Sequence, residues 1–345
     1  MGDAMKKITM QDIADQVGVS RITVWKAFNK PDQVSDECRE QIYKTASDLG
    51  YNKAVSGAPA FFSEEKENLT VSVIVSRPDS SIFWTNIIHH IAKELSKHNI
   101  NLLYTYAPSV YSSTYHLPPI LSNGTVDGVI VLNIYDPDLI RMISVLPVPK
   151  VFYDTVSSVS FSELNGDLVM VEGTGAVKEL TMHLIEKGKT KIGFVGDIDY
   201  ARTNYDRFDG YRQAMLDAGL EINPALSFTG NIAIADYEET LNRFVDTMKT
   251  LPDAFVCASD YVANFLYQNL EKKGLTVPGD LMMTGFDCNS EYASVAGKLT
   301  SVQVDTSYLG KRLTRELLQR IQNPADPYET VYLSTTPIYS LSTED

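Results

Sequence analysis

The chain has 345 residues, of which 44% are apolar, 21% charged and 10% aromatic, a composition that excludes a collagen, a coiled-coil rod or a disordered tail. At about 150 residues per domain, this length predicts two to three domains. A net charge of −14 opposes nucleic-acid binding, but residues 1–60 carry eight basic and eight acidic side chains while the other 285 carry 22 and 36. A locally neutral segment can meet a polyanion when the acidic body lies beyond a screening length of about 8 Å. The longest apolar runs, such as Gly128 to Leu132, are far too short to cross a membrane. Met1 to Met10 lead into Gln11, Asp12 and Asp15 with no apolar stretch, so the expectation is a cytosolic chain without a secretory signal. Cys38, Cys257 and Cys288 are an odd number without C-x-x-C spacing and are expected to be buried thiols.

Thr9 and Asp12 form a capping-box pattern, and Ile13, Ala14 and Val17 follow on one helical face up to Gly18. Ser20 caps a second predicted helix, Arg21 to Phe28, with Val24, Ala27 and Phe28 inward. A third runs from near Ser35 to Gly50 with Cys38, Ile42, Ala46 and Leu49 at helical spacing. Three short helices with a Gly-Val-Ser turn between the first two make a helix-turn-helix pattern. On the second helix Arg21, Ile22, Trp25 and Lys26 project from the face that the core residues leave unused, and no acid occurs from Val19 to Pro31. A basic face with exposed apolar side chains suits base edges, thymine methyls and the sugar-phosphate backbone.

From Thr70 onward, strand-like runs alternate with amphipathic helices. Thr70 to Val75, Leu102 to Tyr106, Gly128 to Leu132 and Val148 to Tyr153 read as strands, with Ile87, Ile91 and Leu95 on an intervening helix. A second series places strands at Lys191 to Gly196, Ala254 to Ala258 and Met282 to Phe286, with helices carrying Val177, Leu180 and Leu184 and then Tyr211, Ala214 and Met215. Leu309, Leu313, Leu317 and Ile321 form one more helix before the strand-like Val331 to Leu333. The fold class is therefore a small all-α headpiece plus an α/β core of two doubly wound parallel-sheet subdomains, with a ligand cleft at the strands' carboxyl edges.

The stretches DIADQVGVSRITVWKAFN and VSDECREQIYKTASDLGY resemble the headpiece of LacI/GalR transcriptional regulators, with the usual Val-Ser-x-x-Thr-Val-Ser-Arg-x-Leu-Asn, Val-Ser-x-x-Thr-Arg and Gly-Tyr pattern. HLIEKGKTKIGFVGD, RFDGYRQAMLDAGL, ASDYVANFLYQNLEKKGLTVPGDLMMTGFD and LTSVQVDTSYLGKRLTRELLQRI are similar to the family's effector-binding core, which has the periplasmic-binding-protein fold and forms homodimers. The resemblance implies a helix-turn-helix DNA-binding domain at 1–52, a linker at 53–69 and a core at 70–345. Within the core it implies an amino-terminal subdomain of about 70–168 plus 300–323 and a carboxyl-terminal one of about 169–299 plus 324–345.

Carried over residue by residue, it implies that Arg21 and Ile22 read bases of a near-palindromic operator, with Lys26 reaching bases as well. Thr9, Ser20, Thr23, Asn29 and Tyr51 fall at backbone-contact positions, and Trp25 with Lys26 replaces the usual Ser-Arg. The segment after Tyr51 lacks the family's Ala-Arg-x-Leu, contains Gly57 and Pro59 and turns acidic, which predicts a linker with little or no leucine-type wedging in the minor groove. The implied effector contacts are Phe83, Trp84, Asp154, Arg207, Ser259, Asp260 and Asp287, a set suited to a sugar or sugar derivative: a ring to stack on, with carboxylates and a guanidinium for hydroxyls. Arg77 departs from the family's Asp-x-x-Asn-Pro-Phe-Phe pattern; with Arg207 it would admit a sugar acid or phosphate, but the favoured reading is a surface residue.

Gly173-Thr174-Gly175 lacks the third glycine of a dinucleotide loop, since Lys178 occupies that position, and no cofactor is expected. His89 and His90 are adjacent and splay about 100 degrees apart on a helix, so they are read as helix-surface residues and no metal site is expected. No nucleophile elbow, P-loop or His-Glu-x-x-His motif occurs, which argues against an enzyme. The function predicted is a ligand-responsive transcriptional repressor; the alternative is a solute-binding protein of sugar-transport type without a regulatory DNA role.

Overall fold

The computed structural model describes residues 9–29, 33–49, 69–77, 80–232 and 236–344. It divides into two compact units, Met1–Asn68 and Leu69–Asp345. Tyr51 and all of the expected linker except Leu69 lie outside the described residues, as does the side chain of Asn29.

The first unit contains three helices, α1 (Met10–Val17), α2 (Arg21–Asn29) and α3 (Asp36–Asp48). The capping box forms as the sequence predicts: the Thr9 backbone N–H donates to the Asp12 carboxylate at 2.7 Å, and the Asp12 N–H donates back to the Thr9 hydroxyl. Gly18 ends α1 at φ +79°, a conformation glycine enters without steric cost. Ile13, Ala14, Val24, Ala27, Phe28, Ile42, Tyr43 and Ala46 make the core, and the Tyr43 hydroxyl donates to the Ala27 carbonyl.

The second unit has two lobes. The first is a six-stranded, wholly parallel sheet in the order β10-β5-β4-β3-β1-β2, formed by β1 (Thr70–Val75), β2 (Asn101–Tyr106), β3 (Gly128–Leu132), β4 (Lys150–Tyr153), β5 (Asp167–Val171) and β10 (Thr330–Leu333). Its strands alternate between two cores. Val71, Val73, Val75, Ile130 and Leu132 pack on α4 (Ile82–Ser96) and α10 (Thr306–Gln322), while Ile74, Val129 and Val131 pack on α5 (Pro137–Ser144). Burial on both faces is why these strands read as unbroken apolar runs.

The second lobe is built on β6 (Ile192–Val195), β7 (Ala254–Cys257) and β8 (Met282–Thr284), all parallel. α6 (Thr174–Glu186) and α7 (Arg202–Asp217) cover one face; α8 (Tyr237–Thr247) and α9 (Asp260–Lys272) cover the other. Gly210 allows α7 close to α6, because a Cβ there would fall 2.2 Å from the Thr174 carbonyl oxygen. The antiparallel pair β9 (Ser301–Gln303) and β11 (Thr336–Ile338) adjoins β8 through a bridge from Thr300 to Thr284.

Three expectations are corrected. The lobe boundaries move: β5 and β10 belong to the first sheet, whereas residues 169–171 and 324–333 were expected in the second subdomain, and Thr300 to Gln303 belong with the second lobe. Only alternate side chains of β10 are even half-buried, as befits an edge strand, so its short sequence carries no mark of which sheet it joins. Cys257 is buried as expected, but Cys38 is half-buried and Cys288 exposed. Arg77 is not a surface residue, since it is half-buried in the wall of the cavity between the lobes.

Candidate functional site

Two surfaces concentrate the expected site residues. On α2, Ser20 caps the helix through the Thr23 N–H at 3.0 Å and shares a hydroxyl contact with Thr23 at 2.8 Å, which fixes the first turn. Arg21 is exposed, Ile22 is 67% exposed, Trp25 is 44% exposed and Lys26 is half-buried, while Val24, Ala27 and Phe28 face the core. An isoleucine and a tryptophan flanked by two cations on one exposed face, on a helix without an acidic side chain, form a basic and apolar surface.

The second surface is a cavity of about 520 Å³ between the two lobes. Phe83, Trp84, Asp154, Arg207, Ser259 and Asp287 all line it; Asp260 does not. Four lining residues, Arg77, Asn133, Asp154 and Asp287, adopt positive φ of 44°, 52°, 63° and 101° just beyond the carboxyl ends of β1, β3, β4 and β8. Backbone held in this sparsely populated region gathers where side chains must be aimed at a ligand. Asn and Asp tolerate it best, so an Asn or Asp directly after an apolar strand was a usable sequence signal; it would have found Asn133.

Arg207, on α7, lies over the Phe286 ring with its guanidinium carbon 3.7 Å from the ring centroid. Its Nη1 donates to the Ala258 carbonyl at 2.6 Å and its Nη2 stands 3.6 Å from the Asp287 carboxylate. Gly173 leaves room for its stem, since a Cβ there would meet Arg207 Cγ at 3.1 Å. Burial raises the Asp287 carboxyl to about 6, against the opposing pull of Arg207. A fixed guanidinium beside a carboxylate offers a donor and an acceptor to neighbouring hydroxyls. Phe83, Trp84 and Tyr153 cluster with centroids 5.2 to 6.4 Å apart and supply an apolar wall.

Asp260 lies in the second lobe, at the start of α9 and off the cavity lining. It is 2% exposed, its carboxylate accepts from the Ser301 hydroxyl and the Asn289 N–H, both at 2.6 Å, and burial with the nearby Asp287 raises it to about 7. Asp154 faces the cavity but is already saturated. One oxygen accepts the N–H groups of Thr155 (2.8 Å) and Thr203 (3.3 Å), the other the hydroxyls of Thr203 (2.6 Å) and Tyr135 (3.2 Å). Those contacts fill the acceptor positions of a carboxylate, so Asp154 joins the first lobe to the start of α7. Glu291 does the reverse from the second lobe, accepting the Ser81 hydroxyl at 2.9 Å and the Ile82 N–H at 2.8 Å at the start of α4. Each lobe thus caps a helix of the other.

Sequence reasoning named none of the six tyrosines found here as a site residue. Tyr135, Tyr153, Tyr200, Tyr237, Tyr261 and Tyr292 all line the cavity, several on loops or first helical turns where no periodicity marks them. His89 is exposed and His90 half-buried on α4, consistent with the reading of helix-surface residues. Among the described residues no group of acids, histidines and cysteines is arranged to hold a metal, and no helix is long and apolar enough to cross a membrane.

Comparison with known proteins finds relatives of both units. Residues 9–53 match the family model of bacterial regulatory proteins, lacI family, and residues 181–343 match a periplasmic binding protein-like domain. The ribose operon repressor of Haemophilus influenzae is 27% identical over 343 residues, covering 96% of this chain and 99% of that protein. The transcriptional regulator CelR of Thermobifida fusca is 27% identical, covering 92% of each. A solved CelR–cellobiose complex superposes with a TM-score of 0.70 at 26% identity, covering 97% of this chain and 99% of that one. The chain thus pairs a helix-turn-helix unit that matches the lacI-family model with a two-lobed core that matches a periplasmic binding protein-like domain, and it is similar along nearly its whole length to bacterial transcriptional regulators.

Proposed function

We propose that this protein is a sequence-specific transcriptional repressor whose affinity for operator DNA is set by a small carbohydrate-like effector in the core cavity. The observation that carries this reading is the presence in one chain of an exposed basic and aromatic helix face and an aromatic-walled cavity with an Arg207–Asp287 pair. Arg21 and Ile22 read base edges, Lys26 a base or phosphate and Trp25 a thymine methyl or sugar edge; Thr9, Ser20, Thr23, Asn29 and Tyr51 hold the backbone. Two copies, as a homodimer, read the two halves of a near-palindromic site in the cytoplasm.

In the cavity, Phe83, Trp84 and Tyr153 stack on the apolar side of a sugar, while Arg207, Asp287 and Ser259 take its hydroxyls. Asp154 and Asp260 act one step back, the first joining the lobes and the second supporting the loop after Asp287. The CelR relative, bound to cellobiose in its solved complex, supports the carbohydrate class. Retention of sheared genomic DNA by the purified protein tests the DNA half. Recovery of one palindromic sequence, lost in the Arg21→Ala/Lys26→Ala double variant, is expected; equal retention by both proteins contradicts it.

A further inference from the structure

Among the described residues, Arg77 is a cation of the cavity that no carboxylate pairs with. Its Nη2 donates to the Tyr200 hydroxyl at 2.6 Å, its Nε is buried without a partner, and among the described residues no carboxylate lies within ion-pair distance of it. The cavity's two acids are committed elsewhere, Asp154 to its four hydrogen bonds and Asp287 to Arg207. A guanidinium in a partly enclosed, aromatic-walled space is expensive to leave without a counter-charge. Its backbone is also held at φ +44°, which an arginine does not favour. The Tyr200 hydroxyl, which accepts from Arg77, keeps its own proton to donate, and the Tyr135 ring packs against the Tyr200 ring at a tilt of 48° with centroids 4.7 Å apart.

Resting on the carbohydrate reading above, we propose that the effector carries an oxyanion group, a carboxylate or a phosphate, and that Arg77 and Tyr200 hold this group while Arg207 and Asp287 hold the hydroxyls. A planar guanidinium with several free N–H donors matches either oxyanion in a forked, two-bond geometry.

The test is thermal-shift and calorimetric titration of the full chain with glucose, galactose and ribose, their sugar acids and their terminal phosphates. Inorganic phosphate and acetate serve as minimal probes against chloride at matched ionic strength. An anionic sugar should bind the wild type more tightly than its neutral parent, lose about tenfold or more in Arg77→Gln and recover part of that in Arg77→Lys. Whether the acid or the phosphate arm responds identifies the source of the charge. Equal binding of neutral and anionic members, or equal binding by Arg77→Gln, overturns the proposal. If no sugar registers, the absence of Arg77-dependent stabilisation by both phosphate and acetate overturns it as well. Asp287→Asn separates the two readings. Sugars that need Asp287 and gain nothing from a charge defeat the Arg77 proposal alone, whereas anions that need Arg77 and not Asp287 defeat the carbohydrate reading.

Discussion

At the scale of single residues, the cavity is a study in which charges are free to act. Asp154, Asp260 and Asp287 look alike in the sequence as acids near strand ends, and the structure gives them different work according to who already occupies their oxygens. Asp260 also makes the stability of the core pH-dependent. Burial, with the neighbouring Asp287 charge second, holds its carboxyl up to about 7, so between about 4 and 7 the folded protein keeps a proton that the unfolded chain releases. Its contribution therefore turns unfavourable as pH rises through that window. Asp260→Asn lacks this titration, and its melting temperature should gain on the wild type's from pH 4 to 7 and level off above; a difference independent of pH contradicts the assignment. The residue types behind Phe83, Trp84, Arg207, Ser259 and Asp287 were legible because they sit in recognisable motifs. Arg77 was not, because its exposure depends on where the opposite lobe places Tyr200.

At the scale of elements, strands buried on both faces announce themselves, and β1, β3, β6 and β7 were readable for that reason. Edge strands do not, which is why β10 was assigned to the wrong lobe. What pins it to the first sheet is a buried ion pair: Arg320 of α10 donates through Nε and Nη2 to the Asp167 carboxylate, both at 2.8 Å, and to the Asp326 and Pro327 carbonyls on the way into β10. Asp167 in turn accepts the Glu329 N–H at 2.9 Å. Arg320→Ala strands a carboxylate that is 1% exposed and should cost about 3–5 kcal/mol, read from the urea midpoint. A loss below about 1 kcal/mol would mean that water replaces the guanidinium and that the pair does not organise the crossover.

At the scale of the whole core, the two lobes hold each other through exchanged helix caps, Asp154 on the start of α7 and Glu291 on the start of α4. Glu291 does not line the cavity, so it acts on closure and not on contact. Glu291→Ala should weaken sugar binding a few-fold while leaving the ranking of sugars unchanged, since a lost cap costs about 1 kcal/mol and changes no ligand contact. A changed ranking would place Glu291 in the site itself. Control of DNA binding then follows from linkage: an effector that favours one lobe arrangement shifts operator affinity only by its preference between the two states, commonly about 1–3 kcal/mol. The sequence carried the presence of both units, through motifs local to each. The lobe–lobe contacts were beyond it, because Asp154 and Thr203, or Ser81 and Glu291, are brought together only by the fold.

The most direct test of this account is operator release by the tightest-binding sugar of the titration panel, followed for wild type, Asp287→Ala and Arg21→Ala on the recovered palindromic site. Wild-type affinity for the site is expected to change with the sugar. Asp287→Ala should bind DNA normally but no longer respond, and Arg21→Ala should bind the sugar normally but no longer hold the site. A sugar that binds the core of the wild type and leaves its operator affinity unchanged would contradict the central claim that the cavity controls the DNA-binding unit.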